Sequence, residues 1–558
     1  MRFSKTARFA MLGFALWIGW AERAARAQMP HELLLLVNEN SLNSLSVANH
    51  YVALRRLPRE NVVFLDVPAD ADVISPAEFA KRIWEPANRA MRERGIEDHI
   101  LAWVYSADFP AQVATDPDPK RRISLCGMTF VRNVPPSPEA VASGSWRSPL
   151  FGGTTSSLPL FLLPPRSLIV CKEGAKGLLP LAEDAPPVLV HGLRDRMPLP
   201  AMILGKRGSD ASIPSEVLDA LERAKNSDHH GVNEGFLFAE SGEAPPVSRE
   251  VSFSPAAAEL QRLGVRSRQL AALEPVEGPL MGISASARRV DVSCVGFFAP
   301  GAMAIGGAPA REWMKAGATV AVGVMSGADP SAEKLPDAGA FVGYVSGCTA
   351  LESIYESVSS PLQLEPMGDP LAAPYAMKIG VRLLGADRIS TSFTYLSDVE
   401  GLPSSLKPKY LFLVDGRIIQ PESGSGSFYL PVLDLEDGCH ELRVAMRIAN
   451  FIRVGGEASK NVVVRRGSRG IRLVPRSEVL AQHEHGFAVA IDGEPPERVR
   501  LLSGLRILDE KVYSTDVELV LDDLLLGEGP NTLRPAAVYA DGSVVEGPPL
   551  PICLEKKE

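Results

Sequence analysis

The sequence lacks most of the features that name a function quickly. Its 558 residues hold 58 Lys and Arg against 67 Asp and Glu, a formal net charge of −9. It has no basic run and no acidic tail. That argues against a nucleic-acid partner, which needs a positive face to neutralise phosphates. The six cysteines, Cys126, Cys171, Cys294, Cys348, Cys439 and Cys553, are dispersed and form no C-x-x-C pair. Zinc ribbons and thioredoxin-type redox chemistry are therefore not expected, and the spacing identifies no disulfide partners. No G-x-S-x-G nucleophile elbow occurs, and the nearest approach, Gly282-Ile283-Ser284-Ala285-Ser286, lacks the final glycine. Phe151-Gly152-Gly153-Thr154-Thr155 lacks the lysine of a phosphate-binding loop. Past the N-terminus no segment approaches the ~18 uninterrupted apolar residues of a membrane span. The residues imply no cofactor and no metal centre. His229 and His230 are adjacent and point apart, and His483-Glu484-His485 puts two histidines on one strand face without a third ligand.

The N-terminus carries the clearest positive signal. Arg2, Lys5 and Arg8 precede an apolar stretch from Phe9 to Trp20, and Ala25-Arg26-Ala27 has the small-x-small form of a cleavage site. Residues 1–27 read as a signal peptide, so an exported protein, periplasmic or extracellular, is expected to begin near Gln28.

The mature chain opens with Leu33-Leu34-Leu35-Leu36-Val37, a continuous apolar run that reads as a buried parallel strand. A helix from about Ser44 to Arg56, a strand at Val62 to Leu65, a helix from Ser75 to about Glu93 with a kink at Pro86, and a strand at Ile100 to Tyr105 follow. Strand–helix–strand–helix–strand at this spacing predicts an α/β body with a parallel sheet. Residues of about 106–200 are rich in Pro, Gly and Ser and read as an irregular insertion. The α/β rhythm returns with helices at Pro214 to Ala224, Ser254 to Leu263, Ala310 to Ala316 and Ala350 to Ser357. Strands are expected at Gly235 to Ala239, Val290 to Cys294 and Ala318 to Val324. The body spans 28–375.

After Tyr375 the chain turns to short alternating strands. Tyr410 to Gly416 runs into an Asp-Gly turn, and Leu435 to Val444 has the same character. Leu526 to Leu533 and Ala537 to Gly542 repeat the texture roughly 90 residues later, the size of one immunoglobulin-like sandwich. Two such all-β domains are expected, 376–466 and 467–558.

Several stretches of the body, over about residues 30 to 375, resemble an uncharacterised family of exported bacterial proteins associated with exosortase-type protein sorting. They are Asn38-Glu39-Asn40-Ser41, Ser46-Val47-Ala48-Asn49-His50-Tyr51, Arg55-Arg56-Leu57-Pro58 with Asn61-Val62, and Ser124-Leu125-Cys126-Gly127-Met128-Thr129-Phe130. Ser148-Pro149-Leu150-Phe151, Pro300-Gly301-Ala302, Trp313 with Ala316-Gly317-Ala318, and Gly368-Asp369-Pro370-Leu371 complete the set. The chain departs from that pattern at Ala304-Ile305-Gly306-Gly307 and at Ser326-Gly327-Ala328-Asp329-Pro330, where relatives keep a polar segment and a Glu-Pro. The element order also resembles caspase/gingipain-like cysteine peptidases. That resemblance implies a caspase-like body, with a nucleophile at Cys294 in Asp291-Val292-Ser293-Cys294-Val295-Gly296. The matching histidine position, in Val104-Tyr105-Ser106-Ala107-Asp108-Phe109-Pro110, holds none.

Two residues are candidates for chemistry. Cys294 needs a base or a positive neighbour to become a thiolate near neutral pH, and otherwise packs as a small hydrophobe. Asp108 lies where ligands gather in open parallel sheets, and either orients a substrate or metal or closes an Asx-turn before Pro110. Gly368-Asp369-Pro370 reads as turn chemistry. The expected function is a non-catalytic binding or assembly protein of the cell envelope on a degenerate peptidase-like scaffold. Its partner would be an envelope protein or polymer. The alternative is a cysteine peptidase-like hydrolase using Cys294.

Overall fold

The computed structural model describes residues 29–152, 198–206, 215–233, 235–241, 248–286, 290–448, 454–481 and 484–554. The signal-peptide reading and residues 153–197 of the expected insertion lie outside them.

The body is built on one ten-stranded sheet. Its strands are β1 (Leu33–Asn38), β2 (Val62–Leu65), β3 (Ala102–Tyr105), β4 (Ala201–Ile203) and β5 (Phe236–Ala239). The rest are β6 (Ser267–Leu270), β7 (Val276–Ala285), β8 (Val295–Ile305), β9 (Val320–Val324) and β10 (Leu364–Gly368). The spatial order is β2-β1-β3-β4-β10-β9-β8-β7-β5-β6. Every neighbouring pair is parallel except β10 and β9. The sheet therefore has two halves running in opposite directions. Leu36, Tyr105, Ile203, Met367, Ala321, Ala304, Ile283 and Leu237 form one row across both. Because both faces are covered, the central strands are largely apolar, and all six residues of β1 are buried.

Helices pack on the two faces: α1 (Leu42–Arg55), α2 (Glu85–Arg94), α3 (Leu125–Phe130), α4 (Ser215–Ser227) and α5 (Phe253–Arg262), then α6 (Ala310–Lys315), α7 (Gly339–Val345) and α8 (Ala350–Glu356). Ser41 caps α1 by accepting from the Ser44 N–H. Ser75 and Glu78 form the expected capping box ahead of α2. Pro86 does not break that helix. A π-helical turn over Phe79–Trp84 precedes it, and the widened turn relieves the clash a proline ring makes with the carbonyl four residues back.

One expectation needs correction. Within 106–152 short pieces of regular structure occur, where Gln112–Val113 pairs with Val73–Ile74 and Ile123–Ser124 and α3 is fully buried. Val290 to Cys294 is not a strand. Asp291 accepts from the Ser293 N–H and caps a 3-10 turn over Val292–Cys294, so β8 starts only at Val295.

Two immunoglobulin-like sandwiches follow, each a three-stranded sheet facing a five-stranded one around its own core. The first contains β11 (Gly438–Ile448) and β12 (Gly455–Val464), paired antiparallel. Both sandwiches dock on the body. Arg447 of β11 pairs with Glu32, and Arg443 pairs with Glu457 and donates 2.8 Å to the Arg56 carbonyl. His31 Nδ1 lies 3.0 Å from Glu457 Oε2. In the second sandwich, the Leu526 and Glu528 carbonyls accept from Asn49 Nδ2 at 2.8 and 3.0 Å. Between them Gly527 has φ +71, and a Cβ there would lie 2.8 Å from that of Leu45. Arg534 Nη2 donates 2.9 Å to Asn461 Oδ1 and joins the two sandwiches.

Candidate functional site

The carboxyl edge of the first half-sheet brings the Asn38–Ser41 motif together with Asp108. The chain leaves β3 through Ser106, whose hydroxyl donates 2.6 Å to the Ser44 carbonyl. Asp108 then takes a left-handed φ of 54°, a conformation Asp tolerates better than most residues. Asn38 Nδ2 donates 2.8 Å to the Asp108 carbonyl and holds that turn. Ser41 Oγ donates 2.6 Å and Asn43 Nδ2 3.2 Å to Asp108 Oδ2. The carboxylate sits at the amino end of α1, whose exposed N–H groups favour negative charge. Only 8% of Asp108 is exposed, and its Oδ1 is buried with no hydrogen-bond partner among the described residues. A buried acceptor with an empty lone pair can take a donor from a ligand, at the cost of staying unsatisfied without one.

Cys294 does not join this group. It stands nine residues before Met303, the first β8 residue paired with β9, or roughly 30 Å of extended chain. The reversal at β10 puts the amino end of β8 and the carboxyl end of β3 off the same edge of the sheet. Strands β4, β10 and β9 still separate them, about 19 Å at the usual interstrand spacing. A nucleophile and its base must come within hydrogen-bond reach. Among the described residues no histidine makes a hydrogen bond to the half-buried Cys294 thiol.

In the second half the strands' carboxyl ends, where a parallel sheet presents its chemistry, are buried and apolar among the described residues. Strands β5, β7, β8 and β9 end in Ala239, Ala285, Ile305 and Val324, all buried. Gly306 follows Ile305, and a Cβ there would meet Trp313 Cζ2 at 3.1 Å and the Ala285 carbonyl oxygen at 3.4 Å. A side chain at Gly306 would have to displace the Trp313 ring by a few tenths of an ångström. Ser286, which follows Ala285, is 9% exposed.

A cluster that sequence reasoning did not assemble lies where the strand direction reverses. Arg55, at the end of α1, pairs with both Asp369 and Asp228. Tyr51 donates 3.1 Å to Asp369 Oδ1, which also accepts 2.9 Å from the Leu371 N–H. Asp228 Oδ1 accepts 3.1 Å from the Ala373 N–H. Burial pushes the Asp369 carboxyl up, against the pull of the Arg55 guanidinium. The Gly-Asp-Pro turn is thus tied to α1 and α4 by a buried ion triad. The visible signal was Arg55-Arg56 and Gly368-Asp369, both in the family-like stretches, but nothing in their spacing joined them.

The remaining candidates stay apart. His229 Nδ1 lies 2.7 Å from the Ala376 carbonyl oxygen, and His230 is exposed. His483 lies outside the described residues, while His485 is 3.7 Å from Asp523. Among the described residues no three His, Cys, Asp or Glu side chains converge as metal ligands do. The five described cysteines are unbridged, and Cys171 lies outside. No helix among the described residues is long and apolar enough to cross a membrane.

No family model and no curated protein matches the chain. Solved structures align with it weakly. A structure described only as a protease is 10% identical, aligned over 78% of this chain and 98% of its own, with a TM-score of 0.38. The fibronectin(III)-like modules of Clostridium thermocellum CbhA align with 32% of this chain and 94% of their own, at 14% identity and a TM-score of 0.14. Dimeric latent PorU from Porphyromonas gingivalis aligns over 32% of this chain and 20% of its own, also at 14% and 0.14. At these scores no chemistry is carried over; the ten-stranded, parallel-rich α/β sheet followed by β sandwiches stands on the chain's own topology.

Proposed function

We propose that this chain is an exported, non-catalytic binding or assembly protein of the cell envelope, built on a peptidase-like α/β scaffold whose reactive edge has been filled in. The packing at Gly306 carries the reading: a Cβ in the turn after β8 would press on the Trp313 ring, so a side chain there would have to shift its neighbours. The separation of Cys294 from any hydrogen-bonded histidine supports it, since an unassisted thiol is a poor nucleophile near neutral pH. Asp108 remains on the opposite carboxyl edge as a ligand-ready acceptor. The signal-like leader supports export.

The test is a peptide-library digest by the mature chain, read by mass spectrometry beside Cys294→Ala, with thiol alkylation timed in parallel. No cleavage is expected, and Cys294 should alkylate no faster than the exposed Cys553. Cleavage that disappears in Cys294→Ala, with selective labelling of Cys294, would establish the hydrolase instead.

A further inference from the structure

An open cavity of about 530 Å³ lies away from both sheet edges discussed above, lined by Trp84, Glu85, Asn88, Arg89, Arg92 and Arg132. Its volume falls within the range of small-ligand sites. Its composition is unusual for this molecule: three guanidinium groups face one carboxylate in a chain whose formal net charge is −9. Among the described residues neither Arg89 nor Arg92 has a carboxylate within ion-pair distance, although acidic residues outnumber basic ones in the chain.

The backbone builds this cavity by two departures from regular geometry. The first is the π-helical turn over Phe79–Trp84, which Pro86 induces. After it, Trp84, Asn88 and Arg92 recur at four-residue steps, with Glu85 and Arg89 beside them, so all five fall on one side of the helix. Asn88 Nδ2 donates 2.7 Å to the Trp84 carbonyl and fixes the turn. The second is Arg132, at φ +52 just past the end of α3. Glycine or asparagine fits that left-handed conformation more cheaply, and an arginine there is held against a backbone cost. The Trp84 ring is anchored by Trp103, 5.1 Å between centroids, and by Phe79, stacked at 6.4 Å. It remains partly exposed toward the cavity. A rigid aromatic surface loses little freedom when a flat ligand settles on it.

We propose that this cavity binds a carboxylated sugar segment of an anionic polysaccharide. The indole offers a face for the C–H side of a pyranose ring, the guanidinium forks match carboxylates, and the Asn88 amide and Glu85 carboxylate suit ring hydroxyls. A long nucleic acid is disfavoured by the negative charge of the whole chain. An acidic peptide would satisfy the arginines but has no use for the aromatic platform. The inference is independent of whether the body catalyses anything.

The experiment is calorimetric titration of the mature full-length chain with hexamers of galacturonate and of mannuronate, a neutral cellohexaose and a hexaglutamate. Arg89→Gln/Arg92→Gln is the main variant, because both side chains are exposed. Trp84→Phe is the second, since it keeps an aromatic ring against Trp103. At least one uronate hexamer should bind with salt-sensitive affinity, weakened about tenfold or more by the double arginine change. Trp84→Phe should weaken it less, and cellohexaose should not bind. The proposal is overturned if neither uronate binds, if the double arginine variant binds as well as the parent, or if hexaglutamate binds as tightly as the sugars.

Discussion

Replacing Glu457 by glutamine is expected to loosen the joint between the body and the first sandwich. Burial alone would raise the Glu457 carboxyl, but Arg443 and His31 outweigh it and hold the value at about 2, against an ordinary 4.5. A difference of that size corresponds to roughly 3 kcal/mol of stabilisation by the charged form, at about 1.4 kcal/mol per pH unit. Because the folded value is depressed, the contribution is complete above about pH 4.5 and is lost as pH falls toward 2. Glu457→Gln should therefore lower the urea stability of the joint by on the order of 3 kcal/mol at pH 7. The gap from wild type should narrow below pH 4.5 and close near pH 2. After Trp20, all tryptophans (Trp84, Trp103, Trp146 and Trp313) are in the body. Fluorescence thus follows the body, while far-UV circular dichroism follows body and sandwiches together. Wild type should give coincident curves at pH 7, and the variant should separate them. A variant within about 0.5 kcal/mol of wild type at pH 7, or an offset that stays constant to pH 2.5, would refute the assignment.

Two further outcomes follow from buried charge. Arg55→Met should cost about 3–5 kcal/mol in urea unfolding, because it strands Asp369 and Asp228 without a cation; the triple change Arg55→Met/Asp369→Asn/Asp228→Asn should recover most of that loss, and no recovery would show that the triad is not the cause. Asp108→Ala should cost about 2–3 kcal/mol through its left-handed φ and the stranded Ser41 and Asn43 donors, whereas Asp108→Asn, which tolerates that φ and keeps an acceptor, should cost under ~1 kcal/mol; equal losses in the two urea curves would contradict this account.

The parts of the fold legible in the sequence are those set by local chemistry. The Leu33–Val37 run, the Ser75-Pro76-Ala77-Glu78 helix start and the Asp-Gly turn after Val414 each announce an element through their own residues. What the sequence hid is set by distant partners. Strand β10 holds Pro366 and ends in Gly368, so it reads as turn chemistry, yet β9 and β4 pair on either side of it and it reverses the sheet. Helix α7 contains Gly339, Gly343 and two valines, a poor helix by propensity, and it forms because almost all of it is buried. Cys294 drew attention through an apolar neighbourhood, but one hydrogen-bonded Asp291 turn delays the strand and moves the thiol to the wrong end. At Asp108 the position was readable from the strand before it. Its partners were not, because Ser41 and Asn43 are more than sixty residues away in the chain.

The docking of the sandwiches bears on what such a molecule does. A spacer needs only a covalent tether, with interfaces weak enough to leave neighbouring domains free to swing. Here the tail is fastened through Arg443, Arg447 and Glu457, which face His31 and Glu32 at the start of β1 and the Arg56 carbonyl at the end of α1. Partial separation would leave these groups desolvated and unpaired, a penalty of several kcal/mol, before water could reach them. Such an interface resists small displacements more than its net stability implies. The second sandwich grips the middle of α1 through Asn49 and Ser46, and α1 carries Asp108's partners at its amino end and the Arg55 triad at its carboxyl end. The tail therefore contacts the helix that also holds Asp108's partners and the Arg55 triad.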